Sequence, residues 1–283
     1  MSGICYIVGT PIGNLKDITL RALDTLKAVD VIASEDTRKS AVLLNAYGIK
    51  KPMISYHKHN EREGAEEIAS LLAEGKDVAL ITDAGMPAIS DPGAILVQTL
   101  RQKGFKVESV PGPTAVTSAV SLAGITKNGF AFVGFLPPKK KDRDGILDNL
   151  KNIALPLVFY CAPHDLDETL EYLAGSLGTR RVWAVKEITK MFETVYEGVL
   201  GQEFIENKKG EFVIIVDGAE EIADNKSGEA EKLLAEYIKN GYSRSQAVKM
   251  VVKDTKLPKN SVYEISLRLN EFAQQAGEDG SGD

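Results

Sequence analysis

Over the first 125 residues, short apolar runs alternate with longer stretches in which apolar residues recur every three or four positions. The short runs, at 5–8, 31–33, 53–55, 78–82 and 107–110, predict strands buried on both faces. The periodic stretches, at 15–27, 38–47, 61–74, 94–103 and 114–122, predict helices. Gly48, Gly75 and Gly104 close three of them, as expected where a helix ends in a left-handed residue. Repeated strand–helix units predict a parallel sheet covered by helices on both faces.

After Gly124 the pattern changes. Strands are predicted at 130–135, 157–160, 181–186, 193–199 and 212–217, with helices at 144–152 and 166–177 and a charged loop at 137–143. Successive strands without an intervening helix predict a mixed sheet in a second domain. From Ala219 the spacing is helical, with helices at 229–239, 243–254 and 259–273, Ser243 and Ser245 as caps, and a break at Lys256-Leu257-Pro258. The polar, Gly-rich stretch 277–283 predicts disorder. The expected fold class is α/β, with an α/β domain over 1–123, a mixed α/β domain over 124–218, a helical extension over 219–275 and a disordered tail over 276–283.

With 283 residues, 43% of them hydrophobic, the chain can bury two cores. The longest apolar run, 153–162, contains Pro156 and is too short to span a bilayer. Residues 1–6 lack a basic segment followed by an apolar core, so the expectation is a cytoplasmic protein with no membrane partner. Cys5 and Cys161, each on a predicted strand, make neither a disulfide framework nor a metal cluster. A net charge of -6 argues against sequence-blind nucleic-acid binding but leaves room for a local basic face.

In a parallel sheet, the loops after the strands converge on one edge, where such folds bind ligands. Here those loops are 9–15, 34–38, 56–60, 83–93 and 111–114, rich in Gly, Pro and chemically able side chains. The opposite edge carries plain turns at 47–50 and 74–77. The loop Asp83-Ala84-Gly85-Met86-Pro87-Ala88-Ile89-Ser90-Asp91-Pro92-Gly93 is the most informative, since a long ordered loop is more often functional than a connector. A G-x-x-x-x-G-K-[ST] phosphate loop, a G-x-G-x-x-G fingerprint after the first strand and a G-x-S-x-G elbow are all missing from the sequence. His57 and His59 have no Cys or third His nearby, so no metal is expected there.

Taken in order, Gly9-Thr10-Pro11-Ile12-Gly13-Asn14-Leu15, Glu35-Asp36-Thr37-Arg38, Ser55-Tyr56-His57-Lys58-His59-Asn60, the 82–93 loop and Pro111-Gly112-Pro113-Thr114 resemble the ribosomal RNA small subunit methyltransferase I family of the tetrapyrrole methylase superfamily. The second half agrees through Gly134-Phe135-Leu136-Pro137, Phe159-Tyr160, Pro163-His164, Lys186-Glu187-Ile188-Thr189-Lys190 and Gly210-Glu211-Phe212-Val213-Ile214. The resemblance covers about Tyr6 to Asp217. It implies a two-domain α/β fold that dimerises and holds S-adenosylmethionine in a cleft between domains. It also implies 2′-O-methylation of a cytidine in 16S rRNA near the decoding centre, on the small ribosomal subunit. The implied cofactor contacts are Pro11, Asp83, Gly85, Pro87, Ile89, Thr114 and Ala115 from the first domain and Tyr160, Cys161, Ala184, Glu211 and Phe212 from the second. The chain departs from the family pattern at Lys58, Met86 and Asp165.

A ribose hydroxyl must lose its proton to accept a methyl group. The candidate bases are Glu35, Asp36, His57 and Glu187; Arg38, Lys186 and Lys190 are candidate partners for an oxyanion or phosphate. Asp36 serves equally well as a helix cap, and Lys186 with Glu187 as an internal ion pair. His57 and His59 are placed to stack on or hydrogen-bond a flipped nucleotide. Lys139, Lys140, Lys141 and Arg143 form the concentrated basic loop expected to grip RNA phosphate, against a default of simple solvation, and Lys249, Lys253, Lys256 and Lys259 make the tail basic. Two other readings share the fold: a methylase of a small tetrapyrrole-like metabolite, and a non-catalytic ribosome-binding factor. The basic segments argue against the first, and the loops of Gly85, Pro87 and Thr114 against the second.

Overall fold

The computed structural model describes residues 2–125, 129–219, 222–255, 257, 259, 262–263 and 265–267. The first sheet holds β1 (Ile4–Val8), β2 (Val31–Ser34), β3 (Met53–Ser55), β4 (Val78–Ile81) and β5 (Lys106–Val110), all parallel in the order β3-β2-β4-β1-β5. Every residue of β2 and β4 is buried, as their unbroken apolar character requires of strands covered on both faces. Alternation along β2 sends Ala33 toward α3 (Glu61–Ala73) and α4 (Ala94–Gln102), where it packs with Ile68, Leu72 and Leu96. Its neighbour Ile32 faces α1 (Leu20–Ala28) and α2 (Thr37–Ala46), and packs with Leu26 and Leu44.

β1 and β4 are neighbours, yet the chain leaves β1 toward β2 on one side and leaves β4 toward β5 on the other. The switch in direction therefore opens a crevice between them. At its base Thr10 and Gly85 exchange both backbone hydrogen bonds, at 2.9 and 3.1 Å. Beside it a Cβ on Gly9 would stand 2.7 Å from the Gly112 Cα, so only glycine lets these two loops touch backbone to backbone.

The second sheet holds β6 (Ala131–Phe135), β7 (Leu157–Cys161), β8 (Arg181–Lys186), β9 (Thr194–Val199) and β10 (Phe212–Val216), in the order β6-β7-β10-β8-β9. β6 and β7 are parallel and the other pairs antiparallel, giving the expected mixed sheet. One face packs under α6 (Lys140–Leu150) and α7 (Leu166–Leu177), with Phe159, Ala184 and Ile214 meeting Leu147, Leu166 and Leu173. The other face packs against α5 (Ala115–Leu122), where Val116 and Ala119 meet Val158, Trp183, Val185 and Val213. A helix from the first strand–helix series thus covers the second sheet, and Met1–Gly218 form one compact unit. Ala219–Asp283 form the other, in which α8 (Ile222–Lys239) and α9 (Arg244–Thr255) share a core of Ala230, Leu234, Ala247, Val248 and Val251.

The elements depart from the sequence pattern in three places. The helix expected at 15–27 is split: Leu15–Asp17 is a 3-10 turn capped by Asn14, Ile18 is extended, and the Thr19 hydroxyl accepts from the Ala22 N–H to start α1. The helix expected at 144–152 starts at Lys140, so half of the expected charged loop is its first turn. In the second unit, α8 starts at Ile222, ahead of the expected 229. Part of the helix expected at 259–273, part of the break at 256–258, and the whole tail at 276–283 lie outside the described residues. Among the described residues, no helix is long and apolar enough to cross a membrane.

Candidate functional site

A cleft of about 360 Å³ opens where the C-terminal edge of the first sheet meets the second sheet. That size falls at the lower end of the roughly 300–1,000 Å³ typical of small-molecule sites. The first sheet's loops contribute Ile12, Glu35, Asp83, Ala84, Gly85, Met86, Ile89, Ser90 and Asp91, and the start of α5 adds Thr114 and Ala115. Facing them are Phe135, Tyr160, Cys161, Ala162, Pro163, Val185, Ile188, Lys190, Glu211, Phe212 and Val213. Among the described residues, four non-glycines have positive φ: Ala88 (68°), Ser90 (64°), Glu187 (50°) and Thr189 (65°). All four belong to the two loops that frame this cleft, after β4 and after β8. Backbone held in that region costs of order 1–3 kcal/mol per residue and persists only where the surroundings impose it.

Of the residues implicated by the sequence, Asp83, Gly85, Ile89, Thr114, Ala115, Tyr160, Cys161, Glu211 and Phe212 line the cleft together with Glu35 and Lys190. Pro11 and Pro87 are buried and outside the lining. Ala184 packs in the core beneath α6 and α7, because alternation along β8 turns Val185 toward the cleft instead. Lys186 is 3% exposed and also lies outside the lining.

Charge pairing separates the candidate bases. Asp36 is the N-cap of α2: its carboxylate accepts from the Arg38 N–H at 2.9 Å and from the Arg38 guanidinium at 3.1 and 3.2 Å. The Arg38 guanidinium holds this carboxyl near 2, which makes it a poor proton acceptor. At Glu187, burial pushes the carboxyl up, but the Glu211 N–H at 2.9 Å and the Lys190 ammonium at 3.0 Å outweigh it and hold the group below the usual range. Glu35 is raised by burial and by Asp83 opposite, with His57 and Lys39 opposing. Asp83 is paired with Lys39 at 2.7 Å. Asp91 is pushed up to about 6 by burial, then by Glu35 and Asp83. Burial likewise raises the Cys161 thiol to about 11, so it is no thiolate at neutral pH.

His57 and His59 sit in a turn held by Asn60, whose side chain accepts from the His57 N–H at 2.7 Å and donates to the Ser55 carbonyl at 2.9 Å. Neither ring lines the cleft. Among the described residues, no group of three or more His, Cys, Asp or Glu is placed to hold a metal. The basic segment divides. Lys139, Lys140 and Lys141 are exposed at the start of α6, whereas Arg143 bonds Glu168 at 2.6 Å and the Pro138 carbonyl at 3.3 Å and lies over the Tyr172 ring. Arg143 therefore ties α6 to α7 and is not free to grip phosphate.

Ser90, Asp91 and Phe135 also line the cleft, although no chemical pattern in the sequence assigns them a role. Ser90 and Asp91 are placed by the conformation of the loop after β4 and Phe135 by its position at the end of β6, which composition and spacing do not carry.

The sequence matches the family described as Tetrapyrrole (Corrin/Porphyrin) Methylases over residues 5–202. It is 40% identical to "Ribosomal RNA small subunit methyltransferase I" of Bacillus subtilis (strain 168), over 93% of each chain. It is 45% identical to the protein of that name from Thermotoga maritima, over 77% of this chain and 100% of the other. That share of this chain matches the length of Met1–Gly218. A crystal structure of diphthine synthase superposes with a TM-score of 0.61 at 14% identity, covering 76% of this chain and 90% of the other, a likeness of fold alone.

Proposed function

Because the chain belongs to the ribosomal RNA small subunit methyltransferase I family, within the tetrapyrrole methylases, we propose that it transfers a methyl group from S-adenosylmethionine to a cytidine 2′-oxygen of 16S rRNA near the decoding centre. The observation that carries this reading is the 40% identity over 93% of the chain to a relative so named. The cleft's chemistry fits the methyl donor. Ile12, Ala115, Val185 and Val213 offer an adenosine an apolar wall, and the carboxylates of Glu35, Asp83 and Glu211 favour a cationic sulfonium and ammonium. When bound, S-adenosylmethionine supplies an activated methyl whose leaving group departs as a neutral thioether.

The protein's own contribution is then to hold the acceptor in line and to remove its proton. Gly85, Ile89, Thr114, Ala115, Tyr160 and Phe212 are the proposed donor contacts. Lys139, Lys140 and Lys141 are proposed to meet RNA phosphate, which offsets the net charge of -6 locally. Lys249 and Lys253 give the second unit, taken by itself, a basic character that is proposed to contact RNA. The protein is proposed to work in the cytoplasm as a homodimer.

The test is transfer of labelled methyl from S-adenosylmethionine to unmodified small ribosomal subunits, naked 16S rRNA and a tetrapyrrole precursor in parallel. Label in subunit rRNA, mapped to a 2′-O-methylcytidine, is the expected result. Label in the tetrapyrrole alone would make this a metabolite methylase. Donor binding without transfer to any of the three would contradict the methyltransferase reading.

A further inference from the structure

The loop after β4 meets the end of β6 beside the cleft. Gly134, at φ 79°, has no room for a side chain: a Cβ there would stand 2.9 Å from the Ser90 hydroxyl. The residues that follow in each chain segment, Asp91 and Phe135, both line the cleft. A half-buried carboxylate and an aromatic ring therefore flank one tight contact.

Phe135 is 56% exposed, unusual for a phenylalanine at the end of a sheet strand. It meets Tyr160 edge-on at 5.4 Å, and Tyr160 in turn meets Phe132 at 4.9 Å. A ring braced in this way and open to solvent is a stacking platform for a planar base.

Asp91 makes no hydrogen bond or ion pair among the described residues, whereas Asp36 and Asp83 on the same edge are each paired with a cation. The groups that face it are Glu35 after β2, Asp83 after β4 and Tyr160 on β7. Lys39 on α2 pairs with Asp83, and His57 after β3 faces Glu35. Among the described residues, no cation is paired with Asp91 itself. Burial and the two carboxylates raise it to about 6, close to the pH at which a general base works best.

We infer that Phe135 and Asp91 form the acceptor subsite, Phe135 stacking an unstacked nucleobase while Asp91 takes the proton of that nucleoside's ribose hydroxyl. This rests on the RNA-methylation reading above. In the step, the hydroxyl O–H bond breaks and its proton passes to the Asp91 carboxylate. The oxygen's electron pair forms the new bond to the methyl carbon, and the carbon–sulfur bond breaks with its electrons left on sulfur.

The experiment compares the wild-type protein with Asp91→Asn, Asp91→Glu, Phe135→Ala and Phe135→Trp. It measures methyl transfer to unmodified small subunits from pH 5 to 8, with S-adenosylhomocysteine binding followed separately by calorimetry. Asp91→Asn is expected to lower kcat by about 100-fold or more. It should leave S-adenosylhomocysteine affinity unchanged and abolish the acidic limb, which in the wild-type protein has its midpoint near 6. Asp91→Glu should restore part of the rate. Phe135→Ala should raise KM for subunits by about tenfold with little change in kcat, and Phe135→Trp should reverse that. Asp91→Asn that keeps its rate and its acidic limb would overturn the proposal. So would Asp91→Asn that loses S-adenosylhomocysteine affinity, since Asp91 would then belong to the donor site, or Phe135→Ala with an unchanged KM. With label present in wild-type reactions, those outcomes sink this inference alone. If the wild-type protein labels no rRNA at all, the methylation reading fails and takes the inference with it.

Discussion

The loop after β4, residues 83–93, and the loop after β8, residues 187–193, face each other across the cleft, and each holds two non-glycine residues at positive φ. They are held in different ways. In the second loop the side chains hold the backbone: Glu187 accepts from the Glu211 N–H and from Lys190, Thr189 reaches Asp17 with its hydroxyl, and the Thr189 N–H donates to Glu193 at 2.5 Å. In the first loop, backbone and neighbouring groups do that work. The Ala88 N–H donates to the Pro92 carbonyl at 3.1 Å, and the Gly93 N–H to Glu61 at 3.0 Å. Of the first loop's two acids, Asp83 is paired with Lys39 and Asp91 is left unpaired, while both acids of the second, Glu187 and Glu193, are tied down. Similar backbone strain thus accompanies a latch in one place and an available carboxylate in the other.

If this contrast is right, the largest stability effect belongs to the latch. Glu187→Ala leaves the Glu211 N–H without its acceptor and should cost about 1–3 kcal/mol in urea unfolding of the first unit. No measurable cost would erase the distinction between the loops. Asp91→Asn should act in the opposite direction. A carboxyl raised to about 6 from 3.8 favours the folded state below the lower value and progressively less as pH rises through the higher one. The Asn variant should therefore be more stable than the wild-type protein at pH 8, by about 1 kcal/mol once partial solvent exposure is discounted, with no gain near pH 4. A gain equal at both pH values would point to packing and not to charge. The smallest effect is expected from Ala88→Gly. It relieves a left-handed residue that costs about 1–2 kcal/mol, less the greater chain entropy of glycine, for a net gain of about 0.5 kcal/mol. A thermal melt showing loss of stability instead would mean that the first loop is not strained at this position.

Much of this architecture was legible in the sequence. Unbroken apolar runs such as Val78-Ala79-Leu80-Ile81 marked interior parallel strands, and the Gly- and Pro-rich loops marked the ligand edge. Interruptions by single side chains were less legible. Thr19 restarts α1 through one hydroxyl, and Lys140 opens α6 although a basic residue there opposes the helix dipole. In the site, strand alternation would have chosen Val185 over Ala184, because β8 lies between two cores. Arg143 looked like a member of a basic loop, but its partners Glu168 and Tyr172 lie 25 and 29 positions away in the sequence. Asp36, Asp91 and Glu187 all offer the same carboxylate chemistry in the sequence. What separates them is the donor each meets: Arg38, local in the chain, for Asp36; the distant Glu211 N–H as well as Lys190 for Glu187; and none among the described residues for Asp91.

The contrast between the two loops is tested most directly by titrating their carboxyl groups in the unliganded protein, with NMR of carboxyl-labelled Asp and Glu assigned through Asp91→Asn and Glu187→Gln. The account predicts that Asp91 titrates near 6, while Glu187 titrates below the ordinary glutamate range. An Asp91 that titrates like a free aspartate, or a Glu187 that titrates above a free glutamate, would contradict it.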